Sequence, residues 1–547
     1  MSDALLAGVS GLKAHQTMID VAGNNLANLN TSAFKSSRVT FADLLSTTVK
    51  EASQPTAVVG GTNPQQIGSG VKVASIDRNM EQGSLVNTGE PLDMAIEGNG
   101  YFVLNDGTQD VYTRVGAFAV DSQYYLVDPS TGYRVQRIGS EGVADGFQSP
   151  SNDAIRIPYD MALPARATTA VDYSGNLTAN AGTSPTTSKL YSGTEYTVNG
   201  SSASSTTLIS DLDQANGFAG TLVISGTNRD GTAVGPVNLV VGAATTMGDL
   251  LTAINGAYTG VTASLSNGQI TLTDDTAGYS LTDINITAAA GATGSLQLPK
   301  YFALSPGGNA VKDTNVEILD AQGVSHVLSG SFVKTDTPNE WDFVISSITG
   351  DVQLVDRRIR GLSFTSNGSY GGLSAATGDA ETFRLGFGCN DYAAQDVAIH
   401  FGTIGDFDGL TQFGGASTVA PSGQDGYSAG VLSSLSVTRE GVLVGVFTNG
   451  VRKEVAAIRV STFQNPAALE SIGNNYFTTS ENSGEPVPSK ALSGGAGAVH
   501  GGAIEGSNVE VALEFVNLIQ AQNGYQANAR TITITNEMLR ELTNLIR

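Results

Sequence analysis

The strongest match to a catalytic motif is residues 426–430, Gly-Tyr-Ser-Ala-Gly, which fit the G-x-S-x-G pattern of a nucleophile elbow. Such an elbow needs a buried strand before the serine and a helix after it, so that the hydroxyl stands on a sharp turn. Here a polar segment, 421–425, precedes Ser428 and a strand-like segment, 431–437, follows it. The only downstream histidine, His500, lies in a glycine-rich stretch. The motif is therefore interpreted as a turn that enters a strand, and no catalytic residue is predicted.

Metal and cofactor sites are equally poorly supported. The histidines are scattered through the chain without the close spacing of a metal-binding pair, at His15, His326, His400 and His500. Residues 406–409, Asp-Phe-Asp-Gly, begin like a calcium loop but lack the further oxygen ligands and the closing glutamate. The chain contains no G-x-x-x-x-G-K-[ST] phosphate loop. We therefore expect no metal, no cofactor and no enzymatic activity.

Composition narrows the possible partners and compartments. The chain has 547 residues, 28 Lys and Arg against 51 Asp and Glu, and a formal net charge of −23. So acidic a surface repels nucleic acid and anionic lipid. No apolar run is long enough for a membrane helix, and Asp3 stands where a signal peptide has basic residues. We expect a cytoplasmic protein or one exported with its N-terminus intact. The single cysteine, Cys389, excludes an intramolecular disulfide and is interpreted as a small buried side chain.

Both ends of the chain carry apolar residues at seven-residue spacing. At the N-terminus these are Leu5, Leu12, Ile19 and Leu26, and at the C-terminus Val511, Leu518, Tyr525, Ile532, Leu539 and Ile546, with Phe515 among the intervening positions. A seven-residue period keeps one seam of a helix facing a partner helix. Helices are predicted from about Asp3 to Asn28 and from Asn508 to the C-terminus, with Ser507 and Glu510 as a capping box. We expect the ends to meet, to be loose in the monomer and to become ordered on assembly.

The middle of the chain has the pattern of short strands closed by turn residues. Residues 101–104 and 442–447 are strand-like runs, each followed by an Asn-Asp-Gly or Thr-Asn-Gly turn. The predicted fold class is α+β. Long terminal helices form a coiled-coil-like inner domain, and several nested, mainly β domains of the sandwich or barrel type are looped out between them.

Residues 5–35 resemble the N-terminal signature of the flagellar rod and hook axial proteins. The segment reads LLAGVSGLKAHQTMIDVAGNNLANLNTSAFK, with a Gly-Asn-Asn-Leu-Ala-Asn core that contains Asn24, Asn25 and Asn28, and an aromatic-basic pair that begins at Phe34. The family pattern usually has glycine at the position of Ala33. If that position needs a positive φ, Ala33 is strained. Residues 507–509, 514–517 and 525–529 are similar to the matching C-terminal signature of this family.

The resemblance continues through the middle of the chain. Residues 425–430, 448–450 and 463–466 resemble the β domain of rod and hook subunits, 316–343 resemble a hook outer domain, and 207–286 are similar to a repeat of flagellins and the filament cap. The implied division is an N-terminal helix at 1–30, a connecting segment at 31–75, an inner β domain at 76–148 and 421–504, an outer β domain at 149–190 and 298–420, an inserted flagellin-like β domain at 191–297, and a C-terminal helix at 505–547.

The resemblance implies a structural subunit of the flagellar hook. Copies would assemble into a curved tube that acts as a universal joint between rod and filament, outside the cell, after export without a cleaved signal peptide. The implied partners are further copies, the distal rod, the hook–filament junction proteins, the hook cap and the type III export apparatus, with no nucleic acid and no membrane insertion. The expected assembly residues are Leu5, Leu12, Ile19, Asn24, Asn25, Leu26, Asn28, Phe34, Val511, Phe515, Leu518, Tyr525, Ile532, Leu539 and Ile546.

Other interpretations remain open at this stage. The heptads also fit an ordinary helical hairpin that closes a monomeric domain. The resemblance also fits a distal-rod or hook–filament junction protein, and the composition fits a monomeric β-rich surface adhesin. A hydrolase that uses Ser428 is the remaining alternative, and an unchanged phenotype of Ser428→Ala would remove it.

Overall fold

Long helices occupy both ends of the chain and pack against each other. Helix α1 spans Ser2–Ala27 and helix α3 spans Val511–Leu545, while a third helix, α2, spans Met247–Ala257. The computed structural model describes residues 2–57, 59–180, 185–374, 378–388, 391 and 393–545. Two of the sequence predictions, those for Cys389 and Ile546, fall outside these residues.

Helix α3 begins later than the sequence predicts. The hydroxyl oxygen of Ser507 accepts a hydrogen bond from the Val509 N–H at 3.3 Å, and the first helical bond joins the Glu514 N–H to the Glu510 carbonyl at 3.0 Å. The predicted capping box of Ser507 and Glu510 is therefore wrong. The Asn508 N–H donates to the Phe34 carbonyl at 3.3 Å, and this tertiary bond belongs to the non-helical segment that precedes α3.

The threonine-rich stretch of α3 stays helical although its sequence alternates like a strand. The hydroxyls of Thr531, Thr533 and Thr535 each donate to the carbonyl four residues earlier, at 3.0, 3.1 and 2.7 Å. These bonds satisfy the hydroxyls within the helix itself. The helix predicted through this stretch is confirmed.

The chain divides into two units, which we call the terminal unit (Met1–Leu163 with Val431–Arg547) and the middle unit (Pro164–Gly430). The terminal unit contains α1, α3 and an antiparallel hairpin that follows α1. The hairpin pairs Ser37–Asp43 with Val71–Arg78 and, further out, Thr47–Lys50 with Gln65–Ile67.

The β part of the terminal unit has two larger sheets and two small ones. The largest sheet contains Tyr101–Asn105, Asp110–Thr113, Ala119–Val120, Leu126–Val127, Arg134–Val135, Val460–Thr462, Glu470–Gly473, Tyr476–Thr478 and Val487–Ser489. The second contains Arg137–Ile138, Ala162–Leu163, Gly430–Val437, Val442–Phe447 and Arg452–Ile458. The small sheets pair Met94–Glu97 with Ala498–Gly501 and Leu85–Asn87 with Ala503–Glu505. Strands from both halves of the sequence share these sheets, which brings the two ends of the chain together.

The middle unit has two layers of sheet and an inserted part. One sheet contains Ala170–Thr178, Val352–Leu354, Thr382–Phe387, Ala394–His400, Leu410–Phe413 and Ala420–Gln424. The other contains Val311–Leu319, Ser325–Lys334, Glu340–Ile348, Arg358–Phe364 and Tyr370–Leu373. Their shared core is aromatic, with Trp341, Phe332 and Phe343 fully buried and the rings of Phe332 and Phe343 5.0 Å apart.

The inserted part of the middle unit packs α2 against short sheets. Its strands are Lys189–Ser192, Thr197–Val198, Ser201–Ser202, Ala215–Thr227, Ala233–Val241, Val261–Ser266, Gln269–Asp274, Asp283–Ala288, Thr293–Leu296 and Phe302–Ser305. Helix α2 starts with a capping box, in which Thr246 and Asp249 each accept a hydrogen bond from the other's backbone N–H at 3.2 and 2.8 Å. Val333 and Val344, from the neighbouring five-stranded sheet, are buried in the same core as this insert.

Candidate assembly site

Helices α1 and α3 run antiparallel and approach each other closely. A β-carbon built on Gly11 would lie 2.7 Å from Asn528 Oδ1, and one built on Gly524 would lie 2.5 Å from His15 Cε1. Residues later in α1 therefore contact residues earlier in α3, which shows that the two helices are antiparallel. Both distances are shorter than ordinary contact, so the helices can pack this closely only because both positions are glycine.

At the contact between the helices, a glycine of one helix faces a larger side chain of the other. Ala14 and Ala22 of α1 and Ala521 of α3 are buried, and Gly8 of α1 faces Ile532 of α3. Ile532 is thus one of the expected seam residues that does lie at the contact. The larger residues expected to form the seams are half-buried, namely Leu5, Leu12, Ile19, Leu26, Leu518, Ile532 and Leu539. Gly8, which lies between Leu5 and Leu12 in the seven-residue pattern, is at the contact itself.

A second set of apolar residues is exposed on the outside of the helix pair. Three of the expected assembly residues, Val511, Phe515 and Tyr525, belong to it, and Phe515 is 49% exposed. The other exposed apolar residues of the pair are Leu6, Val9, Leu513, Val516, Ile519, Ile534, Met538 and Leu542. Apolar surface of this extent is typical of a protein–protein contact. The helix pair therefore has one apolar side closed by its own partner and another that faces outward.

The hairpin that follows α1 also exposes apolar side chains. Leu45 is 90% exposed, and Val49, Val59 and Ile67 are exposed as well. In most proteins, charged residues or proline on an exposed edge strand prevent it from pairing with other chains. The hairpin therefore adds a second apolar surface close in sequence to the helix.

The asparagines of the N-terminal signature differ in their surroundings. Asn25 is fully buried, and its amide donates to the Ser37 carbonyl at 2.7 Å and to Glu514 Oε1 at 3.0 Å, while its oxygen accepts from the Ser37 N–H at 3.0 Å. The half-buried Asn28 donates to the carbonyl of the exposed Asn24 at 2.9 Å. Asn25 thus ties α1 to both the hairpin and the start of α3, whereas Asn24 and Asn28 form a local bond at the end of α1.

The turn after α1 has the backbone conformation that the family pattern suggests. Ala33 has a φ of +56°, is buried, and donates its N–H to the Glu505 carbonyl at 2.8 Å. A non-glycine residue in the left-handed region is strained. The strain expected at Ala33 is confirmed. Phe34, the next residue, is half-buried.

A buried charge cluster, which we call the charge clasp (Lys35, Arg114 and Glu505), lies beside this turn. Lys35 Nζ is 2.6 Å from Glu505 Oε1, and Arg114 Nη1 is 3.4 Å from Glu505 Oε2, with side-chain exposures of 1%, 5% and 0% for Lys35, Arg114 and Glu505. Burial lowers the pKa of Lys35, although the adjacent Glu505 carboxylate acts in the opposite direction. Sequence reasoning missed Arg114 and Glu505, because no local pattern marks them.

The motifs that suggested chemistry have structural explanations. Asp408 accepts hydrogen bonds from the Thr403 N–H and hydroxyl at 2.8 and 2.6 Å, as expected for a turn. His500 Nε2 lies 2.5 Å from Glu97 Oε2. The strand Gly430–Val437 starts two residues after Ser428, so a strand and not a helix follows the serine. Among the described residues, no group of three or more His, Cys, Asp or Glu side chains is arranged to hold a metal ion. No helix in the described ranges is both long and apolar enough to cross a membrane.

A helix pair built from both chain ends, with β domains looped out between its helices, is the architecture of a flagellar axial subunit. Five family models match along the chain: Flagella basal body rod protein at 5–35, Flagellar hook protein FlgE/F/G D1 domain at 95–179, Flagellin hook IN motif at 221–276, Flagellar basal body protein FlaE D2 domain at 299–427, and Flagellar basal body rod FlgEFG protein C-terminal at 500–545. These matches span both ends and the middle.

Similar proteins narrow this class further. The flagellar hook proteins FlgE of Borreliella burgdorferi and Treponema pallidum are each 30% identical to this chain, with full coverage of both sequences. The flagellar hook protein FlgE of Salmonella typhimurium is 27% identical over 98% of each chain. The chain belongs to the FlgE family of flagellar hook proteins, and it is a structural subunit of the flagellar hook. Membership of this family implies that its copies polymerise with one another.

Proposed function

We propose that copies of this chain stack helically into the curved tube of the hook, with the α1–α3 pairs inside and the β domains outside. The observation that carries this proposal is the outward apolar surface of a helix pair whose mutual contact is already closed. Contacts that repeat head to tail without closing generate helical filaments. In such a tube, Phe515 and the exposed residues near it are covered by neighbouring copies.

The expected seam residues then have two different roles. Leu12, Ile19 and Leu518 flank the contact within the pair, while Val511 and Tyr525 face neighbouring copies in a coiled-coil-like wall of several helices. Apolar positions broken by glycine and asparagine fit such a wall better than a two-stranded zipper. We also propose that the chain is divided into the eight helical, connecting, inner, outer and inserted segments given above. Ile546 is proposed as the last residue of the C-terminal seam.

The proposal also covers position, partners and export. The tube joins the distal rod to the filament as a universal joint, contacts the hook–filament junction proteins, and grows under a cap outside the cell. Each copy leaves through the type III export apparatus without a cleaved signal peptide. The protein performs no catalysis, so Ser428→Ala leaves swimming unchanged.

The test removes the outward apolar surface while leaving the helix pair intact. Leu513→Ser combined with Ile519→Ser exchanges two exposed side chains, and exposed substitutions usually change stability by no more than about 0.5 kcal/mol. We expect the variant to keep the monomer's unfolding midpoint but to lose polymerisation, measured by sedimentation and electron microscopy. Gln526→Ser, on an exposed polar position of the same helix, is the matched control and polymerises normally. Tubes of the double variant in normal amount would contradict the proposal.

Deletion of residues 1–30 distinguishes a hook subunit from a monomeric adhesin. A hook subunit without α1 no longer polymerises, whereas a monomeric adhesin keeps its binding. Electron microscopy of a deletion strain separates hook from rod, because loss of a hook subunit removes the curved segment and leaves the rod in place.

A further inference from the structure

The charge clasp lies where the helical and β parts of the terminal unit join. Lys35 follows α1, Arg114 follows the strand Asp110–Thr113, and Glu505 ends the strand that precedes α3. The three residues therefore come from three chain segments that are distant in sequence. Any change in the direction of the helix pair relative to the sheets has to move at least one of them.

Glu505 is the hub of this cluster. Besides Lys35, its carboxylate accepts the Gly83 N–H at 2.8 Å, and its backbone carbonyl accepts the Ala33 N–H at 2.8 Å. Lys35 Nζ also donates to the Glu81 carbonyl at 2.7 Å. Glu505 is thus hydrogen-bonded both to the turn after α1 and to the segment that follows the exposed hairpin.

Arg114 attaches the cluster to the β part. Its guanidinium donates to the Gly98 carbonyl at 2.7 Å and to the Ile96 carbonyl at 3.3 Å, and it lies over the Tyr101 ring with Cζ 5.2 Å from the ring centroid. These partners belong to, or adjoin, strands of two sheets. Arg114 is therefore fixed to the sheets, and Glu505 connects it to the base of the helices.

The cluster takes no part in the contact between the helices. That contact includes Gly8 and Gly11 of α1 and Gly524 of α3, whereas the clasp residues lie outside α1 and α3. We propose that Lys35, Arg114 and Glu505 position the helix pair on the inner β part, and so set the direction in which it meets neighbouring copies. This inference rests on the proposed tubular assembly.

Variants that change the charge of the clasp differently can distinguish an effect on the position of the helix pair from an effect on the stability of the fold. Two cations share one carboxylate, so Lys35→Met leaves a neutral Glu505–Arg114 pair and a side chain of similar length. Glu505→Gln leaves two buried cations without a counter-charge, which is strongly destabilising. The two variants therefore differ in their effect on unfolding, although both release the turn after α1 from the carboxylate.

The experiment uses the full chain and compares Lys35→Met, Glu505→Gln and the double variant. We expect Lys35→Met to lower the polymer yield by about fivefold or more, or to change the tube diameter, while the unfolding midpoint shifts by about 2 °C or less. Glu505→Gln lowers both the yield and the midpoint. The double variant unfolds at a higher temperature than Glu505→Gln alone, because one of the two unpaired cations is gone.

Lys453→Met is the matched control. Lys453, on the strand Arg452–Ile458, forms a half-buried ion pair with Asp145 at 3.0 Å in the same unit, and we expect its loss to leave polymer yield and tube diameter unchanged. Normal tubes from Lys35→Met in normal amount would overturn the proposal. So would a midpoint for Lys35→Met as low as that of Glu505→Gln, because the clasp would then be only a stability element. A wild-type chain that stays monomeric would instead overturn the tubular assembly itself.

Discussion

The helix pair and the core of the middle unit are built in opposite ways. In the middle unit the largest side chains, such as Trp341 and Phe343, are completely buried within one chain. In the helix pair, glycines lie at the contact between the helices, while large side chains such as Leu513, 54% exposed, face outward. The core of the middle unit is therefore complete in a single copy, whereas the helix pair leaves large apolar side chains exposed, which the proposed tube would cover with neighbouring copies.

The energies of burial explain why this difference matters. Burying a large apolar side chain stabilises a fold by about 1.5–3 kcal/mol, whereas glycine and alanine contribute little. Isolated helices are marginal in water, so a helix pair whose large apolar side chains stay exposed gains stability from further packing. In the proposed assembly, a subunit built this way would combine stable β domains with ends that become ordered on assembly. That the ends are loose in the monomer stays a prediction.

The largest expected change in stability comes from a substitution in the aromatic core of the middle unit. Phe343→Ala removes a fully buried ring from the aromatic core of the middle unit and should lower its free energy of unfolding by about 3–5 kcal/mol. Denaturant unfolding measures this loss. Below the lowered midpoint, polymerisation stays normal because the helix pair is untouched. A loss below about 1 kcal/mol would show that this core is not closely packed.

A smaller effect is expected in the helix contact. Gly524→Ala places a β-carbon 2.5 Å from the His15 ring, and overpacking of this kind costs about 1–3 kcal/mol. The measurement is the temperature at which assembled tubes dissociate, which should fall. Adding His15→Ala removes the clash, so the double variant should recover the loss and benefit from the higher helix propensity of alanine. If the double variant were as unstable as Gly524→Ala, the close approach of the helices would be refuted.

The smallest change in stability is expected at the turn that follows α1. Ala33→Gly relieves a left-handed backbone strain of about 1–2 kcal/mol but increases the entropy of the unfolded chain, so a net gain of about 0.5–1 kcal/mol is expected. Thermal dissociation of the tubes measures the gain. Ala22→Gly, within the second half of α1, should have the opposite sign and cost about 1 kcal/mol. Equal signs for the two changes would contradict the assigned backbone at Ala33.

Much of the architecture could be predicted because it depends on local patterns. The seven-residue spacing at both ends predicted α1 to within one residue at each boundary, and the strand at 442–447 was predicted from its composition and its Thr-Asn-Gly turn. The start of α3 was wrong by three residues, because the segment around Asn508 makes tertiary bonds that compete with the helix. Local pattern could not reveal that competition.

The sequence by itself determined that both ends are amphipathic helices, that the middle is β, and that the chain resembles axial subunits. Only the tertiary structure decided which side of α3 faces α1, because several apolar stripes overlap on that helix and periodicity does not choose among them. The structure also decided that Lys35 meets Glu505, 470 positions away in the sequence. A contact over such a distance leaves no local signal, since it depends on the fold that brings the two segments together.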